Sequence, residues 1–430
     1  MKEIIDGLIK EVNESDKISP QIKKIFEKAL ANTFTTTMRE TSRKDVFVIT
    51  GDIDAMWLRD SAGQIRPIFY IDSPKADRLI KKVLDRQIFC LSKDPYANAF
   101  NEIPNGRAWS SKDISDFSSP WVWERKYELD SICYVLQTAY LYYEKTGDRG
   151  LFDENFLDVL EKLVDLIELE QNHENSPYEF QRPDPWAQSD SLRESKRGTP
   201  VAYTGMSWSG FRPSDDSCLY QYLIPSNAFA VVVLRKLSKI METLSIREDL
   251  AAKMASLAAR IDEGIKKYGL VEDEDFGEIY AYETDGLGNF NLMDDANIPS
   301  ILSLPYLGYG KVDDERYLRS RNFILSKKNK NYFEGLVAKG IGSDHTPKDY
   351  IWHLALSMQM MTSRDEKEIE YILSLFEKTH GGTYLTHEGF HKDDPKEYTR
   401  DWFSWSNSIF AEAILRYLGK DILRKVDLTD

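Results

Sequence analysis

The chain has 430 residues, 42% of them hydrophobic, and a formal net charge of −15. That balance argues against nucleic acid and anionic membrane as partners, because both need a basic face. Six histidines without an HExxH-type pair and three widely spaced cysteines point to neither a metal finger nor a disulfide framework.

At the amino terminus, Met1 to Gly7 open no apolar stretch of signal-peptide length, and no segment is apolar enough to span a bilayer. A cytoplasmic, monomeric protein is therefore expected. No Pro-, Ser- or Gly-rich linker interrupts the chain, so residues 1–430 are expected to form one domain.

Helical periodicity predicts helices over 3–13 and 20–34, then a short strand at Val46–Thr50. Pairs follow at 57–70 with 75–92, 124–145 with 151–171, and 226–244 with 247–267. Further pairs are expected at 298–307 with 314–326 and 348–362 with 365–379, and a last helix at 405–418. Leu250, Met254, Leu257, Ile261 and Ile265 show the stripe most clearly. Pro225-Ser226-Asn227 and Thr346-Pro347-Lys348-Asp349 read as helix starts, and Gly147, Gly269 and Gly419 as stops.

Turns within the pairs are brief, whereas the connections between pairs are long and crowded with Trp, Tyr, Asp, Arg and His. If helices alternate in direction, all the long connections share one rim. Pairing the last helix with one near the amino terminus gives six pairs and a closed double ring, an all-α (α/α)6 barrel. An open helical repeat array would need a recurring consensus and even spacing, and neither is visible.

Chemistry concentrates in those connections. The first holds Asp52, Asp54, Trp57, Arg59 and Asp60, suited to hydrogen bonding a polyhydroxylated ligand, although Asp54 is equally suited to capping a helix. From 172 to 224 runs a long aromatic stretch without helical period, which contains Arg212, Asp215 and Asp216. One of that Asp pair is expected to face a cleft and the other to brace the loop. Asp294, Asp295 and Asn297 offer oxygen ligands for a hard cation, but no EF-hand spacing surrounds them. Before the last helix come His387, Glu388, Arg400 and Trp405.

Tryptophans add an independent argument. Trp109, Trp121, Trp123, Trp186, Trp208 and Trp402 fall inside the long loops, with Trp57 and Trp405 at loop ends, and Trp352 alone is expected within a helix. Flat aromatic faces beside carboxylates and amides suit sugar rings. A non-catalytic sugar-binding protein would need the aromatics alone. An epimerase or lyase would work through His345, His353 or His387 instead of two carboxyls.

Several stretches together resemble glycoside hydrolase family 125, the exo-acting α-1,6-mannosidases. They are Thr50 through Asp60, Ser207 through Asp216, Tyr280 through Gly286, Met293 through Asn297, Gly342 through Pro347, and Thr386 through Phe390. The likeness covers about residues 15–420 in the right order. The resemblance implies an (α/α)6 barrel, an inverting mechanism with no metal or other cofactor, and a mannose-containing oligosaccharide as partner. It also implies Asp215 as general acid and Glu388 as general base. Asp54, Trp57, Arg59, Asp60, Arg212, Asp294, Asn297, His345, Arg400 and Trp405 are the candidates for gripping the terminal sugar.

Overall fold

A computed structural model describes residues 2–426. Among these residues thirteen α-helices alternate with loops that carry only short strands. They begin with α1 (Lys2–Glu14), α2 (Pro20–Asn32), α3 (Leu58–Gln64), α4 (Pro74–Lys93), α5 (Leu129–Thr146) and α6 (Glu154–Leu169). Next come α7 (Ile224–Leu244), α8 (Glu248–Tyr268), α9 (Leu304–Leu307) and α10 (Glu315–Ile324). The last three are α11 (His353–Met361), α12 (Glu366–Thr379) and α13 (Ser404–Tyr417). None of the described helices is long and apolar enough to cross a membrane.

The odd-numbered helices from α3 onward form an inner ring. In it α5 packs on α3, α7 on α5, α9 on α7 and α13 on α11, and α13 returns to α3. Outside them lie α2 against α13, α4 against α5, α8 against α7, and α12 against α11. The expected double ring is present, and α13 with α2 closes it. At that closure a side chain on Gly63 of α3 would meet the Trp405 indole of α13 at 2.2 Å, so the two helices touch because Gly63 has none.

Burial differs between the rings. On α8 the buried Leu250, Met254, Leu257, Ile261 and Ile265 form one stripe, as a half-exposed helix requires. By contrast α5 is buried without a break from Leu129 to Lys145.

The ends of the helices differ too. Outer α2, α4, α6 and α12 are capped by their own Ser19, Ser73, Asp153 and Asp365 side chains. Inner helices borrow partners from the rim, because their first N–H groups point into the loops. Leu58 N–H donates to the Asn98 carbonyl, Leu129 N–H to Ser209 Oγ, Ile224 N–H to the Tyr282 carbonyl, and Ser404 N–H to the Thr50 carbonyl. These four inner helices are thereby positioned by loops from elsewhere in the chain.

Those loops are stitched in a belt. Met56–Trp57 pairs with Ala99–Phe100, Ile114–Ser115 with Phe180–Gln181, and Tyr222–Leu223 with Glu283–Thr284. Ala296 N–H then reaches the Gly342 carbonyl, Tyr350–Trp352 pairs with Gly389–His391, and Gly51 bridges Phe403 to complete the circuit. All six long connections therefore share one rim.

Four helix boundaries differ from expectation. Where 57–70 was expected, the helix breaks at Ile65, because Pro67 has no N–H to continue it, and a tighter turn covers Arg66–Tyr70. Residues 124–128 are extended, and α5 starts only at Leu129. Only Leu304–Leu307 of the expected 298–307 helix forms, since the Asp294 carboxylate takes the Ile301 and Leu302 N–H groups into a turn. Thr346-Pro347 does not start α11. Tyr350–Trp352 pairs as a strand instead, so Trp352 precedes the helix.

Candidate active site

The long loops enclose a cleft of about 360 Å³, continuous with an inner chamber of about 40 Å³. Trp57, Asp215, His345, Glu388 and Arg400 line both compartments. Arg59 and Asp60, from the first turn of α3, reach the chamber along with Asn297. Trp109 and Trp186 wall the outer cleft and are half exposed. Of the nine tryptophans, only Trp57, Trp109, Trp186 and Trp352 line either compartment. Trp208 is instead sealed in the core, stacked on His173.

Asp215 sits on the turn of a tight hairpin, where Phe211 bridges Ser217 and the Arg212 and Asp216 backbones bond each other. Its φ is +66°, a left-handed conformation uncommon for a residue with a side chain. That conformation is held from several sides. Lys126 Nζ donates to the Asp215 carbonyl at 2.7 Å. Trp57 Nε1, Arg59 Nη2 and Asn98 Nδ2 all donate to Oδ1, at 3.1, 3.0 and 3.1 Å. Oδ2 accepts no hydrogen bond from the described residues and is left for a ligand.

Behind Asp215 lies a charge cluster closed to solvent. Arg59 contacts the carboxylates of Asp60, Glu128, Asp130 and Asp215 within 3.6 Å. One guanidinium cannot neutralise four acids in a dry site, so some of them must hold protons. Burial raises the Asp215 carboxyl, but Arg59, the Glu128 hydrogen bond, Lys126 and His345 outweigh it and bring its pKa to about 2. Glu128 goes the other way: burial, with Asp215 and Asp130 beside it, holds its carboxyl well above the usual range despite Arg59. Asp130 is raised to about 7, chiefly by burial.

Glu388 has a sparser setting. It immediately precedes the Gly389–His391 strand and is 6% exposed. Its carboxylate accepts no direct hydrogen bond among the described residues, and its ion-pair partner is Arg400 at 3.7 Å. Arg400 is itself clamped by Asp52 and by Thr50 Oγ1, and lies over the Phe403 ring at 4.3 Å. His345 stands 3.5 Å from Asp216. Burial lowers the imidazole pKa, but Asp216, Glu388 and Asp215 raise it to about 9.

The two neighbouring aspartates divide as expected. Asp215 faces the cleft, while Asp216 is buried on Ser214 and His345. Four of the sugar-gripping candidates line neither compartment. Asp54 is held outside by Arg39 and Arg107, at 2.6 and 2.7 Å. Arg212 is buried on Glu283 at 2.6 Å. Asp294 holds the 301–302 turn, and Trp405 is fully buried against Gly63. Asp294, Asp295 and Asn297 do not converge as metal ligands, since Asp295 accepts from Asn297 and Ser343. Among the described residues no cluster of three or more His, Cys, Asp or Glu could hold a metal ion. His353 is buried far below its ordinary pKa, at about 3, and lines neither compartment; nor does His387.

Asn98, Lys126 and Glu128 were missed from the sequence. A signal was there: the run Glu124-Arg125-Lys126-Tyr127-Glu128-Leu129-Asp130 leads into a helix that is otherwise largely apolar. Such a dense charge run at the buried start of a helix has to be paired inside the protein.

The family model described as metal-independent α-mannosidase (GH125) matches residues 19–415. Meiotically up-regulated gene 157 protein of Schizosaccharomyces pombe is 36% identical over 440 residues, spanning 97% of this chain and 86% of that protein. A Streptococcus pneumoniae metal-independent α-mannosidase has been solved as a non-productive substrate complex with α-1,6-mannobiose. It is 43% identical and superposes with a TM-score of 0.95, over 97% of this chain and 99% of that one. A bacterial glucoamylase complexed with acarbose shares the fold alone, at 13% identity and a TM-score of 0.58, over 86% of this chain and 50% of that one. The chain therefore belongs to glycoside hydrolase family 125, the metal-independent α-mannosidases, and is a glycoside hydrolase.

Proposed function

We propose that this enzyme is an inverting exo-α-1,6-mannosidase, acting as a single catalytic domain on N-glycan-type oligosaccharides. The observation that carries the proposal is that Asp215 and Glu388 both border the inner chamber and the outer cleft. The terminal mannose sits where the chamber opens into the cleft, and the rest of the oligosaccharide lies between Trp109 and Trp186. Asp215 Oδ2 delivers a proton to the glycosidic oxygen. Glu388, with lone pairs free, takes a proton from a water that attacks C1 from the opposite face. Inversion needs a carboxyl separation of about 6.5–9.5 Å, which leaves room for that water. Trp57, Arg59, Asp60, Asn297, His345 and Arg400 are the groups that hold the sugar. The α-1,6-mannobiose complex of the Streptococcus pneumoniae relative supports the linkage. Cys90, Cys133 and Cys218 are free and buried, which suits a reducing, cytoplasmic setting.

The test is to follow α-1,6-mannobiose hydrolysis by proton NMR. β-Mannose should appear first, with the α-anomer growing in later by mutarotation. Initial α-mannose would contradict inversion, and cleavage of internal linkages in a longer α-1,6-mannan would contradict exo action.

A further inference from the structure

We propose that Glu128 stores the proton that Asp215 delivers to the leaving group, so that the acid of this enzyme is a carboxyl pair and not a single residue. The inference rests on the reading of Asp215 as general acid and deepens it.

Hydrogen-bond geometry carries the argument. Arg59 Nη2 serves three acceptors, Glu128 Oε1, Glu128 Oε2 and Asp215 Oδ1, at 3.1, 3.3 and 3.0 Å. Asn98 Nδ2 also serves three, Glu124 Oε2, Glu128 Oε1 and Asp215 Oδ1, at 3.2, 3.1 and 3.1 Å. Glu128 Oε1 and Asp215 Oδ1 therefore crowd onto the same two donor nitrogens, each with only two hydrogens for three contacts. Two carboxylates held this close repel each other, and one added proton on the pair removes that repulsion.

The surroundings say which carboxyl holds it at rest. Glu128 is closed to solvent, whereas a quarter of the Asp215 side chain is exposed to the cleft. Donors serve both groups, three N–H groups on Asp215 Oδ1 and Arg59, Asn98 and Ser131 on Glu128, so exposure is what separates them. Facing Glu128 are Arg59 and Asp60 from α3, and Asp130 and Ser131 from α5. Glu124 shares the Asn98 amide with it, with Lys126 beyond Glu124, and Asp215 approaches from its hairpin; His345 and Arg400 stand across the cleft. Arg59 touches both carboxylates, but Lys126 adds a cation at the Asp215 main-chain carbonyl, whereas Glu128 has Asp215 and Asp130 beside it. Burial acts in the same direction on Glu128.

The cycle balances. Glu128 passes its proton to Asp215 as the glycosidic oxygen approaches Oδ2. Asp215 then gives that proton to the departing oxygen while the C1–O bond breaks. Water forms the new C1–O bond and leaves its proton on Glu388. After product release Glu388 loses its proton to solvent, and the Glu128–Asp215 pair regains one.

Glu128→Gln is the direct test, read on two substrates. With α-1,6-mannobiose, whose alkoxide leaving group needs protonation, kcat should fall by roughly 30-fold or more while KM changes little, in line with loss of an acid. With an activated aryl α-mannoside, whose phenolate leaves unprotonated, kcat should stay within roughly threefold of wild type, because protonation is no longer needed. Equal losses on both substrates, or no loss on either, would overturn the relay. Asp215→Asn on mannobiose separates the two ideas: a crippled Asp215→Asn beside an indifferent Glu128→Gln sinks the relay alone, and an active Asp215→Asn sinks the acid assignment itself. Infrared spectra of the unmodified enzyme at pH 7 cover the case in which Glu128→Gln does not fold. A protonated-carboxyl band that moves on carbonyl-13C glutamate labelling is expected, besides the aspartate band of Asp130. Its absence, or movement with aspartate labelling only, would overturn the proposal.

Discussion

Asp215 and Glu388 look into the same cleft from very different surroundings. Asp215 is embedded in donors, with three N–H groups on one oxygen, a lysine on its own carbonyl and three further acids behind Arg59. Glu388 has one arginine at 3.7 Å and otherwise open lone pairs. A group that handles protons from inside the protein needs connections to other titratable groups. A group that must grip and deprotonate a water needs vacant lone pairs. The contrast suits the proposed division of labour between acid and base.

The strongest way to break that contrast is to neutralise each carboxyl. Asp215→Asn and Glu388→Gln should each lower kcat on α-1,6-mannobiose by about 10²-fold or more, in line with lost acid–base catalysis. Steady-state kinetics checks this, and near-normal turnover in either variant removes that residue from its role.

Next in size is the cation that supports the acid side. Arg59→Met leaves Asp60, Glu128, Asp130 and Asp215 without their common partner. The fold should lose about 3–5 kcal/mol, as when one member of a buried ion pair is removed. Arg400→Met, next to Glu388 and partly exposed, should cost clearly less. Comparing urea midpoints of the two variants sharpens the comparison, and equal losses would erase it. Gly63→Ala tests the scaffold beneath both residues. Its methyl would press on Trp405, costing about 1–3 kcal/mol by overpacking.

His345 bridges the two sides and gives a pH signature. Its folded pKa, about 9, lies above the ordinary 6.5. Its imidazolium therefore stabilises the fold fully below about pH 6.5, and the contribution is lost as pH rises through about 9. His345→Gln should melt below wild type at pH 6 to 7, and the gap should close above about pH 9. A gap independent of pH would contradict the Asp216–His345 pairing.

The smallest effect is expected at the cleft mouth. Trp186 is 59% exposed and touches His345 edge-on. Trp186→Ala should raise KM roughly 2- to 10-fold, the worth of about 0.5–1.5 kcal/mol of aromatic contact, and leave kcat near wild type. An unchanged KM would remove Trp186 from the oligosaccharide path.

How much of this was legible in the sequence depends on where each residue sits. Amphipathic outer helices could be read almost to the residue, as with α8, because one face meets water and the other the core. Of the inner helices α7 and α13 fall within two residues of expectation, but α3, α5, α9 and α11 blur, since burial hides their period and their starts depend on loops distant in sequence. Thus α11 begins late because Tyr350–Trp352 is claimed by Gly389–His391, a partner no local pattern reveals. The cleft-facing carboxyls stood out through their loop motifs. Glu128 and Asn98 did not, because their meaning lies in atoms brought within hydrogen-bond reach of Asp215 by folding. Conversely Asp54, Arg212, Asp294 and Trp405 drew notice as polar or aromatic loop residues, yet they serve the loops themselves.

The division of labour is tested most directly by comparing Asp215→Asn and Glu388→Gln on an activated aryl α-mannoside, whose departure needs no proton. Asp215→Asn should recover most of its lost turnover on that substrate, while Glu388→Gln should stay inactive because no water is deprotonated. Recovery of both variants, of neither, or of Glu388→Gln alone would contradict the assignment.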